Sequence, residues 1–236
     1  MVKSLCMNKD NIALLLLAGN GQRMFNDIHV KKQFYQIEGK ELFLYSLDSL
    51  ISAKLFKKIV LVIDKEDEDS VKRILNKDAL TKGQTFIFAY GGKDRNASVF
   101  NGLLALKEEK NDFTLFIHDS ARPLLPLEVL IRLEKASLDY DAITPVIPIH
   151  DSLIRDGKNI TYINRDQAYR VLTPQVFDYR KLMAIYEKGY DSYDTDDYMK
   201  ALKGGLSHTL VRGDASMFKV TEIDDLRLIE RIIKKF

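Results

Sequence analysis

Uninterrupted apolar runs recur along this chain, and between them stand segments whose apolar residues fall at helical spacing. The first run extends from Ile12 to Leu17, and comparable runs end at Asp64 and Asp119. Runs without polar alternation are typical of strands buried on both faces, as in a parallel sheet covered by helices. Parallel neighbours need crossover connections, which the helical segments supply. The pattern predicts an α/β fold with a Rossmann-like, mostly parallel twisted sheet flanked by helices.

The same patterns locate the individual elements. Strands are predicted at residues 57–64, 84–90, 113–119 and 141–149, and helices around 43–51, 71–75, 99–106 and 127–133. A further short strand is expected around Lys219. Thr221 and Asp224 fit a capping box at the start of a last helix.

A different pattern occupies residues 149–168. Two short alternating runs surround Asp156-Gly157, a dipeptide that favours a tight hairpin turn. A lone two-stranded hairpin is marginal in water, so this arm is expected to pack on the core or on a second copy of the chain. The sequence thus predicts one domain, residues 1–236, with an arm that forms a homodimer.

Composition narrows the functional classes. With 236 residues the chain can bury a full sheet between two helical layers, and its formal net charge of +2 is too small to indicate nucleic-acid binding. The single Cys6 excludes a disulfide framework, and no Cys/His spacing typical of a metal site is present. A polar start and the lack of an apolar run of ~20 residues predict a cytoplasmic protein that does not span a membrane.

A glycine-rich turn follows the first apolar run. Gly19 and Gly21 stand at the predicted carboxyl edge of the sheet, where α/β proteins bind ligands, and Arg23 and Lys32 come next. These cations predict an anionic ligand. The Gly-Lys-Ser/Thr end of the nucleoside triphosphatase loop is missing, and Met24 stands where the dinucleotide fingerprint needs a third glycine. A dinucleotide fold remains an alternative.

Two polar clusters follow later strands. "GGKDRNASV", at 91–99, opens a helix, so its glycines and Ser98 can contact a ligand through backbone amides and a hydroxyl. In "HDSARP", at 118–123, the Asp119 carboxylate is suited to Mg²⁺, which usually arrives with substrate phosphates. The alternatives are a capped turn in the first cluster and an ion pair with Arg122, or a helix cap, in the second.

Thr173, Thr195 and Lys219 are candidates on less evidence. Both threonines precede predicted helices, where ordinary helix capping is the alternative role. For Lys219 the alternative is a solvated surface lysine.

In order along the chain, these segments resemble the 2-C-methyl-D-erythritol 4-phosphate cytidylyltransferase family of nucleotidyltransferases. The likeness runs from the first strand to the final helix and comprises "AGNGQRM", Lys32-Gln33, "GGKDRNASV", "HDSARP", Thr173 to Gln175, Thr195-Asp196 and Lys219 to Thr221. One departure stands out, since Lys31 occupies the position where the family usually has proline. Whether Lys31 shares the role of Lys32 stays open.

The resemblance implies roles for individual residues. It places CTP against Ala18, Gly19, Gly21, Gly92 and Ser98, and it assigns catalysis on the phosphates to Arg23, Lys32 and Lys219. It also implies that the sugar phosphate is held by Asp119, Arg122, Ser152, Arg165, Thr173 and Thr195, with Mg²⁺ on Asp119. Whether the arm residues act in their own subunit or in the partner is left open.

The chemistry agrees with this set of residues. A phosphate monoester has a second pKa of about 6, so it can attack the α-phosphorus of CTP as an anion without a general base. Catalysis then consists of positioning and charge neutralisation, with pyrophosphate as the leaving group. We therefore assign no catalytic role to His29, His150 or His208.

Two other functions compete with this interpretation. Ribitol 5-phosphate cytidylyltransferases are similar, but Ala18 and Ala121 favour the methylerythritol enzymes, because the ribitol enzymes more often have glycine and valine there. A catalytically inactive nucleotide-binding module is the remaining alternative. The number of cations argues against it.

Overall fold

Within the described residues, the main sheet contains eight strands. The computed structural model describes residues 9–19, 30–191 and 193–235. Its strands, in chain order, are β1 (Asp10–Leu16), β2 (Gln36–Ile37), β3 (Lys40–Glu41), β4 (Lys58–Ile63), β5 (Ile87–Tyr90), β6 (Phe113–Asp119), β7 (Ala142–Pro148), β8 (Leu153–Arg155), β9 (Thr161–Ile163), β10 (Tyr169–Val171), β11 (Gln175–Asp178) and β12 (His208–Arg212).

Helices connect and cover these strands. They are α1 (Leu42–Ala53), α2 (Glu68–Lys77), α3 (Arg95–Leu104), α4 (Leu127–Ala136), α5 (Tyr179–Glu187), α6 (Asp197–Lys203) and α7 (Ile223–Ile233). Short 3-10 helices lie at Lys32–Phe34, Lys65–Asp67, Arg165–Gln167 and Ala215–Met217.

The sheet is mixed and mostly parallel, which confirms the predicted class. The strand order is β10-β7-β11-β6-β1-β4-β5, and β12 pairs with β7. Strand β1 is parallel to β4 and β6, and β4 is parallel to β5. Strand β11 runs antiparallel to both β6 and β7. The carboxyl ends of β1, β4 and β6 therefore meet at one edge.

Burial on both faces explains the uninterrupted apolar runs. In β1, Leu14 packs in the core on one face of the sheet and Leu15 in the core on the other, and neither is exposed to solvent. All seven residues of β6 are buried. Because each face must be covered, replacing a residue such as Leu14 by alanine should cost about 2–5 kcal/mol of stability.

Several local predictions were wrong. Thr173 precedes strand β11 and not a helix. The strand expected at 84–90 begins only at Ile87, and no strand contains Lys219 in this described part of the chain. Instead, Asp214 accepts a hydrogen bond from the Ser216 N–H and starts a 3-10 turn. The last capping box pairs Glu222 with Asp225, one residue later than predicted, because the Asp225 carboxylate reaches the Glu222 N–H at 3.0 Å.

The predicted arm is present as the hairpin β8–β9. Leu153 pairs with Ile163 and Arg155 with Thr161, so residues 156–160 form a longer loop than the tight turn expected at Asp156-Gly157. The hairpin forms a separate two-stranded sheet. Among the described residues, no helix is both long and apolar enough to cross a membrane.

Candidate active site

A cleft of about 570 Å³ opens at the carboxyl edge of the sheet. It is bounded by the ends of β1 and β6, by the turn before α3 and by the segment before α7. The predicted residues that line it are Ala18, Gly19, Lys32, Gly92, Ser98, Asp119 and Lys219. The fold thus gathers most of the proposed nucleotide site at one edge, as the strand order requires. Gly21 and Arg23 lie outside the described residues.

The turn after β1 is tied to the turn after β4. The N–H of Gly19 donates to the Asp64 carboxylate at 3.2 Å, and the Gln33 side-chain amide donates to the Gly19 carbonyl at 3.1 Å. Gly19 has φ +123°, a conformation that favours glycine. A Cβ on Gly91 would lie 2.4 Å from that of Ala18, so only glycine allows this close approach. The wall of the cleft is therefore built by backbone.

Two adjacent lysines have different partners. The Lys32 ammonium lies 3.1 Å from the Val220 carbonyl and faces the cleft. The Lys31 ammonium contacts the carboxylates of Asp64 at 3.0 Å, Glu66 at 2.6 Å and Asp67 at 2.7 Å. Burial alone would lower the pKa of Lys31, but the hydrogen bonds to Asp67, Glu66 and Asp64 outweigh it and raise the pKa.

The opposite wall of the cleft is formed by the turn that leads into helix α3. The Gly92 N–H donates to the Ser98 hydroxyl at 3.0 Å, and that hydroxyl donates to the Asp94 carbonyl at 2.9 Å. The Asp94 carboxylate caps the helix by accepting from the Ala97 N–H at 2.8 Å. Gly92 and Ser98 thus lie in the cleft as predicted, and here they bond to each other.

Asp119 sits at the floor of the cleft among cations. One carboxylate oxygen is 2.8 Å from the Lys219 ammonium, and the other is 3.3 Å from the Arg95 guanidinium. Burial alone would raise the pKa of Asp119, but Arg95 and Lys219 hold it well below its usual range. Both oxygens are therefore engaged by cations. This site does not fit Asp119 as a ligand of Mg²⁺, because the metal would lie beside the positive charges of Lys219 and Arg95, which already neutralise the carboxylate.

Arg95 also connects the cleft to a buried network. Its guanidinium donates to the fully buried Asp197 at 2.8 Å, and its Nη2 is buried without a hydrogen-bond partner among the described residues. Asp197 also accepts from the Tyr186 hydroxyl. The Gln175 amide oxygen accepts from the N–H groups of Asp197 and Tyr198, both at 3.1 Å. Gln175 thereby fixes the start of α6.

His118 holds the neighbouring segments together. Its Nε2 lies 3.1 Å from the Arg122 carbonyl, which only accepts, so this nitrogen carries the proton and Nδ1 accepts from the Thr173 hydroxyl at 3.0 Å. The same hydroxyl accepts from the Asp119 N–H at 3.1 Å. Complete burial lowers the pKa of His118 to about 4. Thr173 is buried in this network, where it positions Asp119.

The remaining predicted sugar-phosphate residues do not line the cleft. Arg122 lies beside it and donates to the Met217 carbonyl at 2.9 Å, and its Nε is buried without a partner among the described residues. Thr195 and Ser152 are exposed. Arg165, at the base of the arm, is also exposed and donates to the His150 carbonyl at 2.6 Å. Roles for these residues remain predictions.

Comparison with known proteins gives the family. Residues 12–235 match the model of the 2-C-methyl-D-erythritol 4-phosphate cytidylyltransferase (IspD) family. The chain belongs to this family. IspD enzymes are nucleotidyltransferases, and the fold described above agrees with that of solved IspD structures.

Individual IspD relatives match along almost their full length. The cytidylyltransferase of Clostridioides difficile (strain 630) is 32% identical over 225 residues, which cover 93% of this chain and 92% of the relative. That of Thermotoga neapolitana is 33% identical over 227 residues, covering 96% and 98%. The crystal structure of 4-diphosphocytidyl-2C-methyl-D-erythritol synthase from Anaerococcus prevotii DSM 20548 superposes with a TM-score of 0.83 at 26% identity, covering 96% of this chain and 99% of that one.

Four residues whose contacts organise the cleft and the network behind it were missed as site residues from the sequence. They are Arg95, His118, Gln175 and Asp197. Arg95, His118 and Gln175 lie inside the recognised motifs, which was the available signal. Asp197 follows Thr195-Asp196 directly, and nothing in its spacing indicated that it would be buried beside Arg95.

Proposed function

We propose that this chain transfers CMP from CTP to 2-C-methyl-D-erythritol 4-phosphate and releases pyrophosphate. The single observation that carries the proposal is the convergence of Lys32, Lys219 and Arg95 on one backbone-built cleft. Two anions must meet for this reaction, so a cleft with several cations meets its main requirement. Membership of the IspD family supports the choice of substrates.

The reaction needs positioning more than proton transfer. A phosphate oxygen of the methylerythritol phosphate forms a bond to the α-phosphorus of CTP, and the bond from that phosphorus to the bridging oxygen of pyrophosphate breaks. The attacking phosphate is already an anion near neutral pH. We assign stabilisation of the charge that develops on the CTP phosphates to Arg23, Lys32 and Lys219.

The two substrates are assigned to different sets of residues. We place CTP against Ala18, Gly19, Gly21, Gly92 and Ser98, with cytosine selected by backbone groups and the Ser98 hydroxyl. The sugar phosphate is assigned to Asp119, Arg122, Thr173 and Thr195, together with Ser152 and Arg165. For Thr173 we infer an indirect role, since its hydroxyl is already bonded to His118 and to the Asp119 N–H.

Mg²⁺ dependence is part of the proposal, although Asp119 does not fit as its ligand. Mg²⁺ commonly binds through substrate phosphates with few protein carboxylates, so we propose that it enters with CTP. Chelation should abolish turnover, and calorimetry should detect little Mg²⁺ binding to the protein without CTP. Tight binding to the free protein that is lost in Asp119→Asn would restore Asp119 as a ligand.

We also propose a homodimer that uses the arm. Ile160 and Tyr162 are 67% and 79% exposed, an apolar surface that a second subunit would cover. Mixing Arg165→Ala subunits with Lys32→Ala subunits tests whether Arg165 serves the partner, because one intact site would then form per heterodimer. No recovered activity after verified subunit exchange would contradict action in the partner. The cytoplasmic location stays a prediction.

A pyrophosphate-release assay tests the function directly. Purified protein is given CTP, Mg²⁺ and either 2-C-methyl-D-erythritol 4-phosphate or ribitol 5-phosphate. We expect turnover with the first and little with the second, and ATP should be a poor donor. Faster turnover of ribitol 5-phosphate would overturn the substrate while leaving the chemistry, and nucleotide binding without any turnover would indicate an inactive module.

A further inference from the structure

The turn after β4 carries three carboxylates on the nucleotide side of the cleft. The carboxylate oxygens of Asp64, Glu66 and Asp67 lie within 4.8 Å of one another, a spacing that could hold a cation. The ammonium of Lys31 contacts all three, at 3.0, 2.6 and 2.7 Å. Lys31 is thus a built-in counter-ion for this cluster.

The cluster reaches the cleft through Asp64. This residue lines the cleft, and the same carboxylate oxygen that contacts Lys31 accepts the hydrogen bond from the Gly19 N–H. Asp64 therefore shapes the glycine turn, but its negative charge also lies where a nucleoside triphosphate is expected. An anion so close to a triphosphate weakens binding unless a cation compensates it.

The burial of the four partners shows which contacts matter. The side chains of Lys31 and Asp67 are each 15% exposed, and that of Asp64 is 24% exposed, whereas Glu66 is 73% exposed. Water therefore screens the pairs of Lys31 with Asp67 and Asp64 less than the pair with Glu66. The inner pairs fix the position of the ammonium.

We propose that Lys31 is a positioning residue for the nucleotide, acting through Asp64, and this inference rests on the proposed function of the cleft. Lys31 compensates the carboxylates, so that Asp64 can hold the Gly19 turn without repelling the triphosphate. This role differs from sharing the work of Lys32. To reach the substrate phosphates, the Lys31 ammonium would have to leave three carboxylates.

A charge-matched rescue tests this role. Lys31→Met removes the cation and keeps much of the side-chain volume, so the KM for CTP should rise roughly ten- to hundredfold while kcat falls less, because repulsion acts on binding. Lys31→Met/Asp67→Asn has the same net charge in the cluster as the native protein. It should recover most of the CTP affinity, measured by calorimetry as well as by KM.

The matched control is Lys72→Met, which removes a surface lysine paired with Glu68 on α2. It should bind CTP like the native protein. Native affinity in Lys31→Met would overturn the proposal, and so would a failure of Asp67→Asn to rescue, since Lys31 would then act on the substrate itself. Should Lys31→Met not fold, Lys31→Met/Asp67→Asn is compared with the native protein, and weak CTP binding by the folded double variant overturns the proposal. A native protein that binds CTP but releases no pyrophosphate would refute the proposed function alone.

Discussion

The cleft and the arm differ in how their side chains are partnered. In the cleft, the buried Asp119 is paired with Lys219 and Arg95, and the three carboxylates after β4 are paired with Lys31. In the arm, Ile160 and Tyr162 extend into solvent from a hairpin that is separate from the main sheet. A site assembled within one chain can be tested by removing single charges. An exposed arm must be tested by changing what it contacts.

The largest expected effect comes from Lys32. Lys32→Ala should lower kcat by about 10²–10³, because it removes an electrostatic partner of the charge that develops in the transition state. CTP binding should weaken less. Steady-state kinetics with both substrates varied gives the two parameters separately.

Lys58→Ala, which removes a half-buried pair with Glu109 at the amino end of β4, is the matched control for Lys32→Ala. Near-native kcat in Lys32→Ala would show that the cleft does not work through this cation.

Arg95 should contribute to the stability of the protein through its buried partner Asp197. Arg95→Met leaves the fully buried Asp197 without its arginine, and breaking such a pair costs about 3 kcal/mol. Arg180→Met removes a pair with the exposed Asp112 and should cost less than about 1 kcal/mol. Chemical denaturation of both variants measures the difference. Equal losses in the free energy of unfolding would mean that the Arg95–Asp197 pair stabilises the protein no more than an exposed pair does.

The pH dependence of stability should report the buried His118. Its folded pKa of about 4 lies below the unfolded value of about 6.5, so the unfolded state takes up a proton first as the pH falls. This effect should remove about 3 kcal/mol of stability between pH 6.5 and pH 4.

Denaturation curves of the native protein and of His118→Gln should therefore converge as the pH is lowered through this range. His150→Gln, at an exposed position, serves as the control. Parallel curves for the native protein and His118→Gln would contradict a neutral, buried His118.

The arm should give the smallest effect on the stability of the single chain. Tyr162→Ser changes an exposed side chain, so the free energy of unfolding at low protein concentration should change by no more than about 0.5 kcal/mol. Sedimentation should nevertheless show weaker dimers. A native dimer equilibrium in Tyr162→Ser would remove the arm from the proposed interface, whereas a large loss of monomer stability would show that the arm packs on its own core.

Sequence patterns were sufficient for the parts of the fold that depend on burial. The runs ending at Asp64 and Asp119 correspond to β4 and β6. A strand that is covered on both faces of the sheet is mostly apolar along its length, so its sequence can be recognised. The segment around Lys219 could not be placed in the same way. Its course depends on the Asp214 turn and on the Val220 N–H, which donates to the distant Ala121 carbonyl at 2.8 Å.

The candidate site was predictable as a set of residues but not as a set of contacts. The motifs identified Asp119 and Lys219, yet the pairing of Asp119 with Arg95 arises only when β6 and α3 are brought together. The different partners of Lys31 and Lys32 were also hidden. Adjacent identical residues have the same local chemistry, and Lys31 and Lys32 differ through partners that lie far from them in the sequence, in the turn after β4 and at Val220.

The close approach of Gly91 to Ala18 limits how this enzyme can be redesigned. A side chain at residue 91 would force the ends of β1 and β5 apart, because its first carbon would stand 2.4 Å from the Ala18 methyl group. A library intended to change nucleotide preference therefore gains nothing from varying that residue. Lys93 is exposed on the same rim, and its side chain can be exchanged freely without disturbing the sheet. The preference for one nucleotide over another should therefore be changed by substitutions at the rim of the cleft, with the glycines of its wall kept.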